Sequence, residues 1–153
     1  MGGKKTKRTA PVPQKGASKL VAPPDKFPGA STSDNRIAWR FGHIDHEGPW
    51  PMSLDAASSV NLGDSMRSFE TMTITELFKG QPGKDYDIAD VRRKNRQAAQ
   101  RLDALSHLSD QTQISRLQTN GKGRLYGFRV GNIFHVLWWD SEHEIWPTEL
   151  RHT

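Results

Sequence analysis

Two β-rich runs joined by the dipeptide Gly131-Asn132 constrain the fold of this chain more than any other feature. Residues 123–130 precede the dipeptide and residues 133–140 follow it, and both runs are rich in aromatic and aliphatic side chains. Glycine and asparagine accept the positive φ angles that two-residue hairpin turns demand. The sequence therefore predicts an antiparallel hairpin near its C-terminal end.

Composition separates the N-terminal part from the rest. Residues 1–33 contain five prolines, several glycines and alanines, and few large apolar groups. Such a segment cannot bury enough apolar surface to offset the entropy of ordering it, so we predict a disordered tail. A single folded domain is expected over residues 34–153.

Charge follows the same division. Residues 1–33 carry seven lysines or arginines against one aspartate, a net charge of +6, whereas the whole chain carries +5. Residues 34–153 are therefore nearly neutral, at −1. The basic tail is either a solubilising terminus or a contact for phosphate groups or an anionic surface.

Several classes of protein are excluded or disfavoured by absences in the sequence. The chain has no cysteine, which removes disulfides, thiolate catalysis and cysteine-bound zinc. No apolar run approaches the ~18 residues of a membrane span, and no hydrophobic segment follows the N-terminal charges as a secretory signal requires. We therefore expect a cytoplasmic protein without a membrane span. The sequence does not indicate an oligomeric state.

Periodicity predicts the elements in the first half of the domain. Alternation over residues 37–43 indicates a half-buried strand. Ser53 is the expected cap of a helix that ends near Phe69. Thr73 and Glu76 have the spacing of a capping box, which predicts a further short helix.

The second half combines one long helical pattern with strands. After a break at residues 80–83, the pattern predicts a single helix over Ile88–Leu105, with Asp87 as its cap. Strands are then expected over residues 112–119, 123–130 and 133–140, with a short one near 144–146. This order predicts an α+β domain: an N-terminal strand, two to three helices and a C-terminal antiparallel meander, with helices on one face of the sheet.

The predicted helix also carries a concentrated basic run. This run is either a solvated helix surface or a nucleic-acid contact. Its candidate nucleic-acid-binding residues are Arg92, Arg93, Lys94 and Arg96.

Four stretches of the sequence resemble a family of uncharacterised bacterial and mobile-element proteins. They are Ser-Phe-Glu-Thr-Met-Thr-Ile-Thr-Glu-Leu from Ser68, Ala-Gln-Arg-Leu from Ala99, Gly-Lys-Gly-Arg-Leu-Tyr-Gly from Gly121, and Phe-His-Val-Leu-Trp-Trp-Asp-x-x-His-x-x-x-Pro from Phe134. More distantly, the element order and the run from Gly123 to Trp138 resemble the RelE/ParE toxin superfamily. Its nuclease members cleave mRNA on the ribosome, whereas other members poison gyrase or have no known activity. The resemblance implies RNA or the ribosome and a small antitoxin protein as partners, and no cofactor.

Metal-independent RNA cleavage needs a base for the 2′-hydroxyl, cations for the phosphate and an acid for the leaving oxygen. By its position in the resemblance, Arg124 matches the phosphate-binding arginine of the central strand, and His143 lies near a terminal histidine of some members. His135 is a second candidate for proton transfer, and Lys122 and Arg129 are candidate cations. Strand alternation, however, places Arg129 on the side opposite Arg124.

Alternation also divides the last strand into two faces. Phe134, Val136 and Trp138 form the more apolar face, which we expect to be the core. His135 and Trp139 are then expected on the more open side, where Trp139 is available to stack on a base or a partner.

Two functions from different classes follow. The first is a toxin-like RNA-interacting protein, whose enzymatic form is a metal-independent mRNA endonuclease; the second is a non-enzymatic module that binds protein or nucleic acid. A metal site is not predicted, because His43-x-x-His46 with Asp45 lacks a convincing fourth ligand. No phosphate-loop, serine-elbow or dinucleotide motif is present.

Overall fold

The computed structural model describes residues 36–147. The predicted tail over residues 1–33 lies outside this range, as do residues 148–153. A 3-10 turn over Ser106–Leu108 precedes the last three strands. None of the helices in the described part has the length and apolar character that a membrane span needs. The described elements are, in order, β1 (Ala38–Arg40), α1 (Ala56–Phe69), α2 (Ile74–Phe78), β2 (Gly83–Asp87), α3 (Ile88–Lys94), α4 (Arg96–Ala104), β3 (Gln113–Gln118), β4 (Arg124–Val130) and β5 (Ile133–Asp140).

The five strands form one mixed sheet in the order β1-β5-β4-β3-β2. β3, β4 and β5 pair as antiparallel neighbours. The predicted hairpin between β4 and β5 and the α+β class are confirmed. β1 lies parallel to β5, with Trp39 opposite Phe134. It is shorter than the strand predicted over residues 37–43, because the chain turns at Gly42 and His43.

β2 is a strand that the sequence pattern does not predict. Gly80 and Pro82 indicate a break, and of the five residues of β2 only Tyr86 is a strand former. β2 forms because it pairs along its whole length with β3. Pairing with a neighbouring strand therefore overrides weak local propensity and brings Tyr86 onto the sheet.

The single helix predicted over Ile88–Leu105 is wrong, because Asn95 divides it into α3 and α4. At Asn95 the backbone leaves the helical region, with φ −133° and ψ 107°. Its side chain accepts a hydrogen bond from the Ala98 amide at 3.0 Å and so caps α4. Its side-chain amide also donates to the carbonyls of Glu144 and Ile145, at 3.3 Å each. The interruption therefore anchors the turn that follows β5.

Helix caps agree with the sequence in part. The capping box of Thr73 and Glu76 is confirmed at the start of α2. α1, however, is capped by Asp55 rather than by Ser53. Asp87 occupies the cap position of α3 but makes no side-chain capping bond.

Helices cover both faces of the sheet, so the predicted one-sided arrangement is wrong. On one face, here called the α1 face, the helices α1 and α2 bury Leu62, Phe69 and Leu77 against the strands. On the other, the α4 face, α3 and α4 bury Val91 and Leu102. Both faces therefore contain core, and strands in the middle of the sheet are buried on both sides.

A β-bulge in β5 changes which side chains reach each face. Tyr126 lies opposite Trp138, but the next residue of β4, Gly127, lies opposite Val136. Leu137 is thus the extra residue, and side-chain alternation shifts phase there.

The phase shift overturns the predicted division of β5. Phe134 and Val136 pack on the α1 face together with Trp139, whereas Trp138 packs on the α4 face. Trp139 is only 5% exposed, so it does not share an open side with His135. A strict period of two does not describe a strand that contains a bulge.

The hairpin turn differs from the prediction at one residue. Gly131 has a φ of +60°, whereas His143 is the only non-glycine residue of the described range with a positive φ, so Asn132 has none. This combination fits a turn with glycine at its first central position. Asn132 instead donates its side-chain amide to the Arg36 carbonyl at 2.8 Å, and its backbone carbonyl accepts from the Ala38 amide at 2.9 Å. The turn thereby holds the start of β1.

One buried carboxylate, that of Asp45, connects the loop after β1 with α4 and β5. It accepts two hydrogen bonds from the Arg101 guanidinium at 2.7 and 2.9 Å, one from the Trp138 indole at 3.0 Å and one from the Glu47 amide at 3.2 Å. The Asp45 side chain is 2% exposed. Burial alone would raise the pKa of Asp45, but these hydrogen bonds outweigh it and hold the pKa below its ordinary value.

Replacing Asp45 by alanine removes the acceptor of these bonds and leaves the Arg101 charge without its partner. We expect Asp45→Ala to lower the free energy of unfolding by about 3 to 5 kcal/mol in urea denaturation. The control is Asp64→Ala, whose ion pair with Arg67 is exposed and contributes less than about 1 kcal/mol. Similar losses for the two variants would contradict the account.

The contribution of the Asp45 carboxylate to stability should depend on pH. Because the folded pKa of Asp45 lies below the unfolded value near 3.8, its stabilisation is complete above that value and is lost as the pH falls through the folded pKa. The stability difference between the wild type and Asp45→Ala should therefore shrink on acidification below about pH 4.

The bulge leaves no room for a side chain at Gly127. A Cβ atom there would lie 2.2 Å from the His135 carbonyl oxygen and 2.7 Å from the Phe134 ring. We expect Gly127→Ala to destabilise the protein by about 1 to 3 kcal/mol. Gly63→Ala, in α1 with nothing within 4 Å of its Cβ position, should instead be neutral or slightly stabilising. Thermal unfolding of both variants tests this contrast.

Candidate functional site

Basic and aromatic side chains converge on the α4 face at the end of the sheet away from the Gly131-Asn132 turn. Arg116 of β3 lies between Lys84 of β2 and Tyr126 of β4, and Arg124 lies opposite Asp140. Side chains directly opposite one another in antiparallel strands are within contact range. We call this set the basic cluster; its members are Lys84, Tyr86, Arg116, Arg124, Tyr126 and His143.

Arg116 is the most central cation of the basic cluster. Its Nη1 atom donates to the Tyr86 hydroxyl at 3.0 Å, and its Nη2 atom lies 3.5 Å from the Gln81 side-chain oxygen. The residue is 7% exposed, and its Nε atom is buried without a hydrogen-bond partner. Arg116 thus keeps an unused donor in a buried place.

Arg124 is held by the loop that precedes it. Its Nη1 atom donates to the carbonyls of Gly121, Lys122 and Gly123 at 2.7, 2.9 and 2.9 Å. Its Nε atom, like that of Arg116, is buried without a partner. Burial, followed by the nearby Arg116 charge, lowers the pKa of Arg124. Nη1 of Arg124 is therefore held by the fold, whereas Nε remains without a hydrogen-bond partner.

The two tyrosines supply neutral donors beside these charges. Burial raises the pKa of Tyr126 far above its ordinary value, and burial also raises that of Tyr86. Both phenols therefore remain protonated at neutral pH. The Tyr126 hydroxyl is buried and has no hydrogen-bond partner.

Asp140 explains how His143 reaches the basic cluster. The Asp140 carboxylate is fully buried and accepts from the amides of Glu144 and Ile145 at 2.9 and 2.8 Å. These bonds close a turn, not the short strand predicted over residues 144–146, and His143 lies inside it with a φ of +57°. The Asp-x-x-His spacing of the sequence thus encodes a turn that folds the imidazole back onto the sheet.

His143 is placed to accept a proton. Burial lowers its pKa, and the positive charge of Arg124 lowers it further. The imidazole is therefore neutral at neutral pH. Its Nε2 atom is buried and without a partner.

Two exposed lysines and an aromatic pair lie at the outer side of the basic cluster. The Lys84 ammonium lies 5.1 Å from the centre of the Tyr86 ring, and the Lys94 ammonium lies 4.5 Å from that of Trp146. The Tyr86 and Trp146 rings are themselves 4.5 Å apart. The result is a graded site, with lysines at the surface and arginines, phenols and an imidazole beneath.

The structure brings two of the three predicted catalytic residues together, Arg124 and His143. His135 lies elsewhere on β5, with its ring 5.5 Å from that of His43. Arg129, a predicted cation, lies on the opposite face, as alternation indicates, and pairs with Asp85 at 2.6 Å. Trp139 is buried on that face too. The catalytic and binding roles of these residues remain predictions.

The remaining predicted nucleic-acid contacts are mostly paired at the surface. Arg92 pairs with Asp103 at 2.6 Å, Arg93 contacts Asp90, and Lys122 pairs with Glu142 at 3.0 Å. Lys94 packs on Trp146, and Arg96 is exposed. Of the basic run on α3 and α4, only Lys94 therefore borders the basic cluster.

Four members of the basic cluster are missing from the sequence-based candidates: Lys84, Tyr86, Arg116 and Tyr126. Tyr86 lies in the unpredicted β2. Arg116 did leave a signal, because it is a charged residue between Ile114 and Leu117 in a strand that is buried on both faces.

Metal binding receives no support from the histidines near β1. Within residues 36–147, no group of three His, Asp or Glu side chains is arranged to hold a metal ion. Asp45, which the sequence places between His43 and His46, is occupied by Arg101 and Trp138.

The Asp140 turn can be tested by removing its acceptor. We expect Asp140→Ala to reduce the free energy of unfolding by about 2 to 3 kcal/mol, because the buried Ile145 amide and the partly buried Glu144 amide lose a charged partner. Hydrogen exchange at Glu144 and Ile145 should accelerate. Glu142→Ala, an exposed change in the same turn, is the control and should alter neither quantity. Unchanged protection of the two amides in Asp140→Ala would show that Asp140 does not hold the turn.

Comparisons with protein-family models, curated proteins and solved structures gave no significant match to this chain. The resemblances to the mobile-element family and to the RelE/ParE superfamily therefore remain predictions.

Proposed function

We propose that this protein is a toxin-like RNA-interacting protein and that the basic cluster binds an RNA phosphate. One observation carries the proposal: Arg116, Arg124, Tyr126 and His143 converge on one sheet face, and each has a buried polar atom without a partner. Arg116 and Arg124 are neighbouring buried guanidiniums with one buried carboxylate, Asp140, beside them, and the excess positive charge favours an oxyanion. Guanidinium groups also match the geometry of phosphate oxygens.

The same groups suit metal-independent RNA cleavage. The neutral imidazole of His143 would take the proton of a 2′-hydroxyl, whose oxygen would attack the adjacent phosphorus and release the 5′-oxygen. Arg116 and Arg124 would stabilise the added negative charge on the phosphate oxygens. The imidazolium formed in the first step would return its proton to the leaving oxygen. No external co-reactant is needed for this transfer.

The proposed partners follow from this assignment. RNA, including mRNA on the ribosome, is the proposed substrate class, and a small antitoxin protein is the proposed regulator. The cytoplasm is the compartment in which these partners meet. The basic tail over residues 1–33 would add a sequence-independent attraction for RNA.

Binding without cleavage is the second candidate function. Nη1 of Arg124 is already bound to three carbonyls, and Nη1 of Arg116 to Tyr86. Donors that are already bound to groups of the fold have less capacity left for the phosphate oxygens of a transition state. A non-enzymatic nucleic-acid-binding module would use the same basic cluster and leave RNA intact.

Induced expression separates the two functions. We expect the wild type to slow growth and fragment mRNA, and Arg116→Gln and His143→Asn to abolish both effects. Asparagine tolerates the left-handed backbone of His143, so this variant removes the imidazole without straining the turn. Arg129→Gln is the matched control, because Arg129 lies on the opposite face. Intact mRNA and normal growth with folded wild-type protein would rule out the nuclease, and loss of RNA binding only in Arg116→Gln would then support the binding module.

The pH dependence provides a second readout of His143. Its lowered pKa means that the base form persists below pH 6.5, the ordinary histidine value. The kcat/KM for cleavage, which reports the free protein, should therefore decline only as the pH falls below that value, and any residual cleavage by His143→Asn should show no such limb.

A further inference from the structure

Three histidines from distant parts of the chain meet beside the loop that follows β1, outside the basic cluster. The His43 ring stacks on the His107 ring, with 5.3 Å between the ring centres, and it lies 5.5 Å from the His135 ring. His43 belongs to the loop, His107 to the 3-10 turn after α4 and His135 to β5. We call these three residues the histidine cluster.

Solvent reaches the histidine cluster. His107 is exposed, and His43 and His135 are half-buried. His43 and His107 also line a cavity of about 330 Å³ together with the exposed His46. Protons therefore reach the imidazoles without unfolding of the domain, and the cavity leaves space into which the loop can move.

The charges around the histidine cluster are positive or already paired. Burial lowers the pKa of His135, and the neighbouring charges of His43 and Arg40 lower it further. Arg101 of α4 lines the same cavity. The two carboxylates of the cavity wall, Asp45 and Glu47, both lie beside Arg101, at 2.7 and 3.9 Å. A histidine of the cluster that gains a proton therefore meets positive neighbours, and the carboxylates nearby are already engaged by a cation.

Protonation changes the interaction between the rings. Two neutral imidazoles can stack as His43 and His107 do, whereas two imidazoliums at that separation repel each other. The folded pKa of His135 lies below the unfolded value of 6.5, so the unfolded chain binds more protons between these two pKa values. The stability of the fold therefore decreases as the pH falls through this range. Acid thus weakens the contacts that hold His43.

The two ends of the loop respond differently to acid. The Asp45 carboxylate is bound by Arg101 and Trp138, and its pKa lies below the ordinary value of 3.8. It therefore stays ionised at about pH 5 to 6. The segment between β1 and Asp45 has a weaker internal hydrogen bond, from the Ile44 amide to the Phe41 carbonyl at 3.4 Å. Repulsion within the histidine cluster therefore acts on a segment whose far end is fixed.

We infer that the histidine cluster is an acid-sensitive switch, in which protonation of the imidazoles releases the segment between β1 and Asp45 from the 3-10 turn. The Asp45 end of the loop stays in place, so the change is a local opening and not unfolding. The inference is independent of the proposed function, because none of the three histidines belongs to the basic cluster.

NMR of the full chain tests the opening directly. At about pH 7.5 the imidazoles are neutral, and the ring protons of His43 and His107 should give a nuclear Overhauser cross-peak. At about pH 5.5 its intensity should fall severalfold, and it should recover when the pH is restored. The indole N–H of Trp138 should stay protected from solvent exchange throughout, because Asp45 remains ionised. A cross-peak that persists after both imidazoles are protonated would overturn the switch, and loss of protection at Trp138 would contradict the fixed Asp45 end.

Single substitutions in the cluster provide a second test. Between about pH 7.5 and 5.5 the melting temperature of the wild type should fall by several degrees. The fall should be clearly smaller in His43→Gln and in His107→Gln, because each variant lacks one of the repelling charges. The pKa of His135 should rise in His43→Gln, since a neighbouring positive charge is removed. The matched control is His46→Gln, which replaces an exposed histidine of the same loop outside the cluster and should keep the wild-type response.

Each alternative result has a definite meaning. An equal fall in melting temperature for the wild type and all three variants would overturn the switch and place the acid sensitivity elsewhere, such as at His143, whose pKa burial also lowers. An unchanged His135 pKa in His43→Gln would show that the cluster is not coupled and would overturn the switch as well. Neither result depends on whether the protein binds or cleaves RNA, so failure of the proposed function remains distinguishable.

Discussion

The buried carboxylate of Asp45 is the interaction on which the arrangement of this fold depends. It accepts hydrogen bonds from Arg101 on α4 and from Trp138 on β5, and it belongs to the loop that leaves β1. Hydrogen bonds satisfy the carboxylate that burial would otherwise penalise. Helix α4, the sheet and the loop are therefore fixed relative to one another, and the α4 face acquires a defined shape.

The basic cluster differs from Asp45 in how well its polar atoms are paired. At Asp45, charge and hydrogen-bonding capacity are matched within the chain. In the basic cluster, Arg116, Arg124, Tyr126 and His143 each retain a buried polar atom without a partner. Natural folds rarely leave such atoms unsatisfied, and the basic cluster holds four of the six in the described residues, the others being in Trp50 and Trp139. This concentration is the basis of the proposed anion site. The positive φ of His143 adds local strain at the same place, which is common at functional sites.

Local patterns predicted those parts of the fold that depend on local physics. The Thr73 capping box and the antiparallel pairing of β4 with β5 follow from short-range sequence signals and are confirmed. Short-range signals do not predict strand β2, because β2 is stabilised by its pairing with β3. The bulge in β5 shifts the pairing with β4 by one residue, and this shift decides on which face Trp138 and Trp139 pack. Strand alternation alone does not predict the bulge.

The sequence predicted the candidate site, like the fold, only in part. His143 was identified through a resemblance, and the structure gives the physical reason for its position, the turn closed by Asp140. Arg116 was missed because a lone arginine in a strand has no meaning until both faces of that strand are known to be buried. Tyr86 was missed together with its strand.

The central claim is that the unpartnered donors around His143 form an anion site. It is tested most directly by following the His143 imidazole resonance through a pH titration, with and without inorganic phosphate at constant ionic strength. The account predicts a pKa below the ordinary value of 6.5 without phosphate. It predicts a higher pKa with phosphate, because a bound anion favours the imidazolium. An identical His143 pKa in the two titrations would contradict the claim.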